Sequence, residues 1–206
     1  LGDVYKRQDL VYGRRARPLL VSHPDLAERA LAVNGASKAY AMTGWRIGWG
    51  AGPSDLIAAM SVVQSQTTSA PSSISQAAAL AALTGSRASV ESMRSAFRSR
   101  RDLLVSLLNE VSGMSCPLPD GAFYAFPSVR GLIGARTMKG EMLASDIDIS
   151  TYLLESAGVA TVPGTVFGVS GYLRLSFAAK AETLVEACAR IGAACVAVTS
   201  VTATQA

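Results

Sequence analysis

The chain has 206 residues, half of them apolar and only 6% aromatic, enough to bury a core in one large domain or two small ones. Nineteen Lys and Arg against fifteen Asp and Glu leave a mild, scattered excess, with RRAR at 14–17 as the only dense cluster, which argues against a nucleic-acid partner. Three cysteines without a CxxC and a single histidine, His23, speak against a disulfide scaffold, a His-rich metal centre or a histidine triad, and suit a reducing, cytoplasmic compartment. The longest apolar run, 77–83, falls far short of the roughly 20 residues that span a bilayer.

Residues 3–8 (DVYKRQ) resemble the in-frame translation of a sequencing adapter, so 1–8 are expected to be a scar outside the fold. Residues 31–34 (LAVN) form a strand closing on Asn-Gly, followed by a loop, GASKAYAMTG. WRIGWGA at 45–51 alternates as a second strand. Pro53-Ser54-Asp55 starts a helix carried by 56–63. The polar stretch 64–73 (QSQTTSAPSS) is expected to be a loop lining something, and 74–83 a buried, Ala-rich helix stopped by Thr84-Gly85.

Residues 88–111 form a long amphipathic helix. Val90, Met93, Phe97, Leu104, Leu107, Leu108 and Val111 share one face, with Arg94, Arg98, Arg100 and Arg101 on the other. Beyond it, GAFYAFP at 121–127 alternates as a strand and 131–146 is a Gly-rich, charged loop. A helix at 148–157, strands at 159–162 and 171–178, and an apolar helix at 181–198 complete the chain. The expected organisation is a first α/β segment at 9–87, a connecting helix at 88–111 and an α+β domain at 112–206.

The stretch 35–48, GASKAYAMTGWRIG, holds the most chemistry. Small neighbours let a planar ligand approach the backbone. A lysine enclosed by apolar residues loses ammonium solvation, which lowers its pKa and frees a nucleophilic amine. An arginine eight positions on can neutralise a phosphate. On spacing alone, a solvated turn lysine accounts for the same residues.

The residues themselves resemble the pyridoxal-phosphate attachment signature of class I aminotransferases, in the variant found in the bacterial aspartate aminotransferase branch. QTTSAPSSISQAAALAAL at 66–83, DGAFYAFP at 120–127, PGTVFG at 163–168 and GYLRLSFA at 171–178 are similar to later segments of the same family. The likeness spans about 9–198. It implies a fold-type I architecture: part of a three-layer α/β/α large domain, then a small α+β C-terminal domain. It also implies that Lys38 is the Schiff-base lysine of pyridoxal 5′-phosphate, that Arg46 binds the cofactor phosphate, and that Ser37 assists beside the lysine. Arg174, on an otherwise apolar strand where an unpartnered charge costs several kcal/mol, is implied to bind the substrate α-carboxylate.

Family members are about twice this length, so the chain is expected to be the second half of an aminotransferase. The aspartate and tyrosine that serve the pyridine ring would fall near Val4 and Arg7, inside the scar. The implied activity is amino transfer from an L-amino acid, aspartate above all, to a 2-oxo acid such as 2-oxoglutarate, by a homodimer that uses neither membrane nor nucleic acid. The truncated chain itself is expected to be inactive. The alternatives are an aromatic or broad-specificity aminotransferase, a lyase on the same scaffold, or an aminotransferase-like domain of a transcription regulator.

Overall fold

Residues 10–13 and 23–204 are described in the computed structural model, with side chains as far as 198. The expected scar at 1–8 and the RRAR cluster at 14–17 lie outside the described residues. The chain divides into two units, one formed by 1–95 with 120–122 and the other by 96–119 with 123–206.

In the first unit, β1 (Ala32–Gly35) and β2 (Gly48–Ala51) pair antiparallel, with Gly35 opposite Gly48 and Asn34 opposite Trp49. The segment between them is not the plain loop expected. It holds a short helix, α1 (Ala36–Ala39), and a 3-10 turn at Thr43–Trp45, so Trp45 belongs to a turn rather than to the second strand. Helix α2 (Ser54–Thr67) begins after Pro53, whose fixed φ suits a helix entry. It runs four residues past the expected end, through Gln64–Thr67. The hydroxyls there do not break it, because they bond back to the helix: Ser65 Oγ donates to the Val62 carbonyl at 2.7 Å and Thr67 Oγ1 to that of Val63 at 3.0 Å. Helix α3 (Ser73–Thr84) ends where the Gly85 N–H donates to the Ala81 carbonyl.

Helix α3 is not the buried element expected. Only Ser75 and Ala79 are buried, while Ile74 is 70% and Leu80 63% exposed. An Ala-rich apolar pattern gives helicity but cannot say what covers it. At the start of the described residues, Leu10, Val11 and Tyr12 are buried and pair with 120–122. The Ala122 N–H donates to the Leu10 carbonyl at 2.8 Å, the Tyr12 N–H to Asp120 at 2.9 Å, and the Tyr12 hydroxyl to the Ala122 carbonyl.

Helix α4 (Ala88–Asn109) carries its amphipathic stripe inward through Val90, Leu104, Val105 and Leu108. Arg101 departs from the expected polar face, for it is 5% exposed. Its Nε donates to Asp102 at 2.8 Å and its Nη1 to the Pro119 carbonyl at 2.9 Å, and these bonds offset its desolvation.

In the second unit, β3 (Tyr124–Ala125), β4 (Val162–Pro163) and β5 (Leu173–Ser176) form an antiparallel sheet in the order β3-β5-β4. Helices α5 (Asp146–Ala157) and α6 (Ala181–Thr204) pack together, with the Tyr152 hydroxyl donating to the Ala194 carbonyl at 3.1 Å. Helix α5 starts on Ser145, whose Oγ accepts from the Asp148 N–H at 3.3 Å and donates to its carboxylate at 2.9 Å. It stops at Gly158, which adopts φ +65°. The expected loop at 131–146 is partly ordered as a hairpin: Thr137 N–H to Glu141 and Leu143 N–H to Ala135 are both 2.9 Å. Of the twelve largest side chains fully removed from solvent among the described residues, only Leu10 and Val90 belong to the first unit. Leu104, Leu108, Leu132, Ile149, Leu153, Leu173, Phe177 and Ile191 form the core of the second, each worth about 1.5–3 kcal/mol of transfer free energy.

No helix among the described residues is long and apolar enough to cross a membrane, and they hold no His/Cys/Asp/Glu group fit for a metal ion.

Candidate active site

The lysine and the first arginine belong to one closed segment, 36–47, strung between β1 and β2. Its neck is built from two glycines. A Cβ on Gly48 would stand 2.8 Å from the Asn34 carbonyl oxygen, and one on Gly35 3.0 Å from that of Ile47, so side chains at either position would force the strands apart. Within the segment, Ala36 and Ala39 turn inward and are buried, which leaves Ser37 half-buried and Lys38 exposed on the other side of α1. Tyr40 accepts a hydrogen bond from Arg87 at 3.3 Å, while Trp45 is 44% exposed.

Arg46 caps the 3-10 turn in the left-handed region at φ +51°, ψ +51°, and its Nη1 donates to the Thr43 carbonyl at 3.1 Å. Ala41 is left-handed too, at φ +54°. Each such residue costs on the order of 1 kcal/mol, a strain that persists only where the surroundings fix it and that clusters at functional sites. The other two non-glycine residues with positive φ among those described are Ser69 and Ala122, in the segments 66–83 and 120–127 already singled out.

Lys38 is thus exposed rather than enclosed by apolar neighbours, as in the solvated turn lysine that spacing alone allows. The segment presents an amine, a hydroxyl and a guanidinium, all outside the buried face of α1. That set suits a ligand carrying an aldehyde and a phosphate.

Arg174 belongs to the second unit. It sits on the central strand β5, opposite Val162 of β4, and alternates with the buried Leu173, Leu175 and Phe177. Its position on an inner strand rules out an arginine at the sheet edge. The side chain is half-buried, with its guanidinium carbon 4.5 Å from the Tyr124 ring centre and 4.6 Å from that of Phe167. The sequence pattern assigns neither Tyr124 nor Phe167 a place at Arg174. Only the β3-β5 register, Tyr124 opposite Ser176, and the turn before β5 bring them to Arg174.

That turn is itself anchored. Asp146, 1% exposed at the start of α5, accepts from the Thr165 N–H at 2.9 Å and from its hydroxyl at 2.7 Å. Burial alone would raise the Asp146 carboxyl. The hydrogen bonds from Thr165, with backbone N–H groups including that of Tyr172, outweigh it and hold the carboxyl below its ordinary value.

The chain belongs to the family of class I and II aminotransferases, whose family model matches residues 5–191. It is 52% identical over 172 residues to the aspartate aminotransferase of Rhizobium meliloti strain 1021, covering 84% of this chain and 42% of that protein. It is equally 52% identical to the aspartate/prephenate aminotransferase of Cereibacter sphaeroides, covering 84% and 43%. The crystal structure of the Rhizobium meliloti aspartate aminotransferase superposes with a TM-score of 0.90 at 49% identity, over 92% of this chain and 48% of that one. The fold is therefore part of a fold-type I aminotransferase, and the chain spans less than half the length of these relatives.

Proposed function

We propose that the chain supplies the lysine, the phosphate-binding arginine and the carboxylate-binding arginine of a pyridoxal-phosphate-dependent aminotransferase. Its substrates are aspartate as amino donor and a 2-oxo acid such as 2-oxoglutarate as acceptor. The observation that carries this reading is the glycine-necked segment 36–47, which contains both Lys38 and Arg46, in a chain of this family.

The residues present fit the cofactor. When bound, pyridoxal 5′-phosphate supplies an electron-withdrawing ring that carries the amino group between substrates. Lys38 would offer the amine that holds it and, once free, would take the proton from the substrate α-carbon as general base and deliver it to the cofactor's C4′ carbon as general acid. Arg46 would neutralise the phosphate, and Ser37, on the same short helix as Lys38, would assist beside the lysine. Arg174 orients the amino acid by its α-carboxylate through paired N–H donors. Seclusion of Lys38 from water falls to the remainder of the longer polypeptide, working as a homodimer. Cys116, Cys188 and Cys195 are buried and form no disulfide, which fits a reducing, cytoplasmic setting.

Borohydride reduction of the complete polypeptide loaded with pyridoxal 5′-phosphate, followed by peptide mass spectrometry, tests the assignment. The stable pyridoxyl group is expected on Lys38 and is lost in Lys38→Ala. Wild-type labelling in that variant refutes it. Glutamate formed from aspartate and 2-oxoglutarate checks the substrates.

A further inference from the structure

Arg174 is held by rings rather than by a counter-charge. Among the described residues no carboxylate stands within ion-pair distance of it, and its guanidinium lies over Tyr124 and Phe167. The rings extend into a row. Phe167 meets the edge of Phe126 at 6.3 Å, Phe126 stacks on Tyr172 at 5.3 Å with the planes 6° apart, and Arg130 covers Tyr172 at 5.2 Å. One end of this row is fixed to the backbone, because Phe167 closes the turn Gly164–Phe167 that Asp146 grips through Thr165.

A free arginine side chain samples many rotamers and must be immobilised when it binds. An aromatic ring attracts the cation through its face and leaves the N–H donors, which lie in the guanidinium plane, pointing past the ring. A carboxylate can then be met edge-on by two parallel N–H groups. An acidic neighbour would hold the arginine as well, but it would compete for those same donors.

We propose that Phe167 and Tyr124 are positioning residues that pre-set the Arg174 guanidinium to receive a substrate carboxylate. The inference rests on the reading of Arg174 as the carboxylate site. Its consequence is specific: the rings serve binding of both the amino acid and the 2-oxo acid, each of which carries a carboxylate, and they take no part in proton movement at the α-carbon.

The test uses the complete holoenzyme and the variants Phe167→Leu, Phe167→Tyr and Arg174→Lys. Phe167→Leu is expected to raise KM for both substrates roughly fivefold, the range set by freeing one side chain, with kcat held within twofold. Phe167→Tyr, which keeps the ring face, restores KM. In NMR spectra of the holoenzyme, the Arg174 Nε–H resonance carries a ring-current shift that Phe167→Leu reduces and Phe167→Tyr retains. If Arg174→Lys leaves both KM values unchanged, the carboxylate reading itself falls. If Arg174→Lys raises KM while Phe167→Leu does not, or if Phe167→Leu lowers kcat alone, the positioning role is overturned and the carboxylate site stands.

Discussion

Replacing Asp146 with Asn removes a charge while keeping the shape of the side chain. The carboxylate is 1% exposed and accepts two bonds from Thr165, at 2.9 and 2.7 Å, and it lies in the first turn of α5, where the helix dipole favours an anion. Exchanging two charge-assisted bonds for neutral ones removes about 1 kcal/mol each, and the lost dipole interaction adds a few tenths, so the expected destabilisation at pH 7 is about 2 kcal/mol. Because the folded-state pKa lies below the unfolded value of about 3.9, this stabilisation is present above that pH and is lost as pH falls through the folded pKa. Urea unfolding of both proteins between pH 7 and pH 2, followed by circular dichroism, reads the difference. It should stay constant down to about pH 4 and shrink below it. A difference that grows on acidification, or one under about 0.5 kcal/mol at pH 7, refutes the reasoning.

The remaining predictions concern the neck, a cap and the thiols. Gly48→Ala places a methyl group 2.8 Å from the Asn34 oxygen and should cost about 1–3 kcal/mol in urea unfolding, while Gly44→Ala, with nothing within 4 Å, should change stability by less than about 0.5. Ser145→Ala removes the α5 cap and should cost about 1 kcal/mol, read as a lower unfolding midpoint. Burial pushes the Cys188 and Cys195 thiols up to about 11. Iodoacetamide at pH 8 should therefore leave both unmodified in the folded chain and label both in urea, as counted by mass spectrometry.

Sequence pattern located the elements whose cause is periodic. The α4 stripe from Val90 to Leu108 and the alternation of Leu173, Leu175 and Phe177 about Arg174 are both visible in the order of residues, because a buried face repeats. The short helix at Ala36–Ala39 is one turn long and carries no period, so its inward alanines and outward Lys38 were hidden in a Gly- and Ala-rich run. The end of α2 was misread because Ser65 and Thr67 suit loops until their hydroxyls are seen bonding to the helix's own carbonyls. Arg101 looked like a solvent-face charge because its acceptor, the Pro119 carbonyl, is eighteen residues away. Lys38, Arg46 and Arg174 were picked out by the resemblance of their surrounding segments. Phe167 and Tyr124 were not, because their meeting at Arg174 depends on strand register and on a turn fixed by Asp146.

The uneven burial of the two units has a practical side. A polypeptide that leaves Val62, Val63, Ile74 and Leu80 in water on α2 and α3 offers a ready target for holdase chaperones during synthesis. Soluble yield in a cell should accordingly follow chaperone supply more than inducer dose. Charged replacements at those four positions would ease recovery.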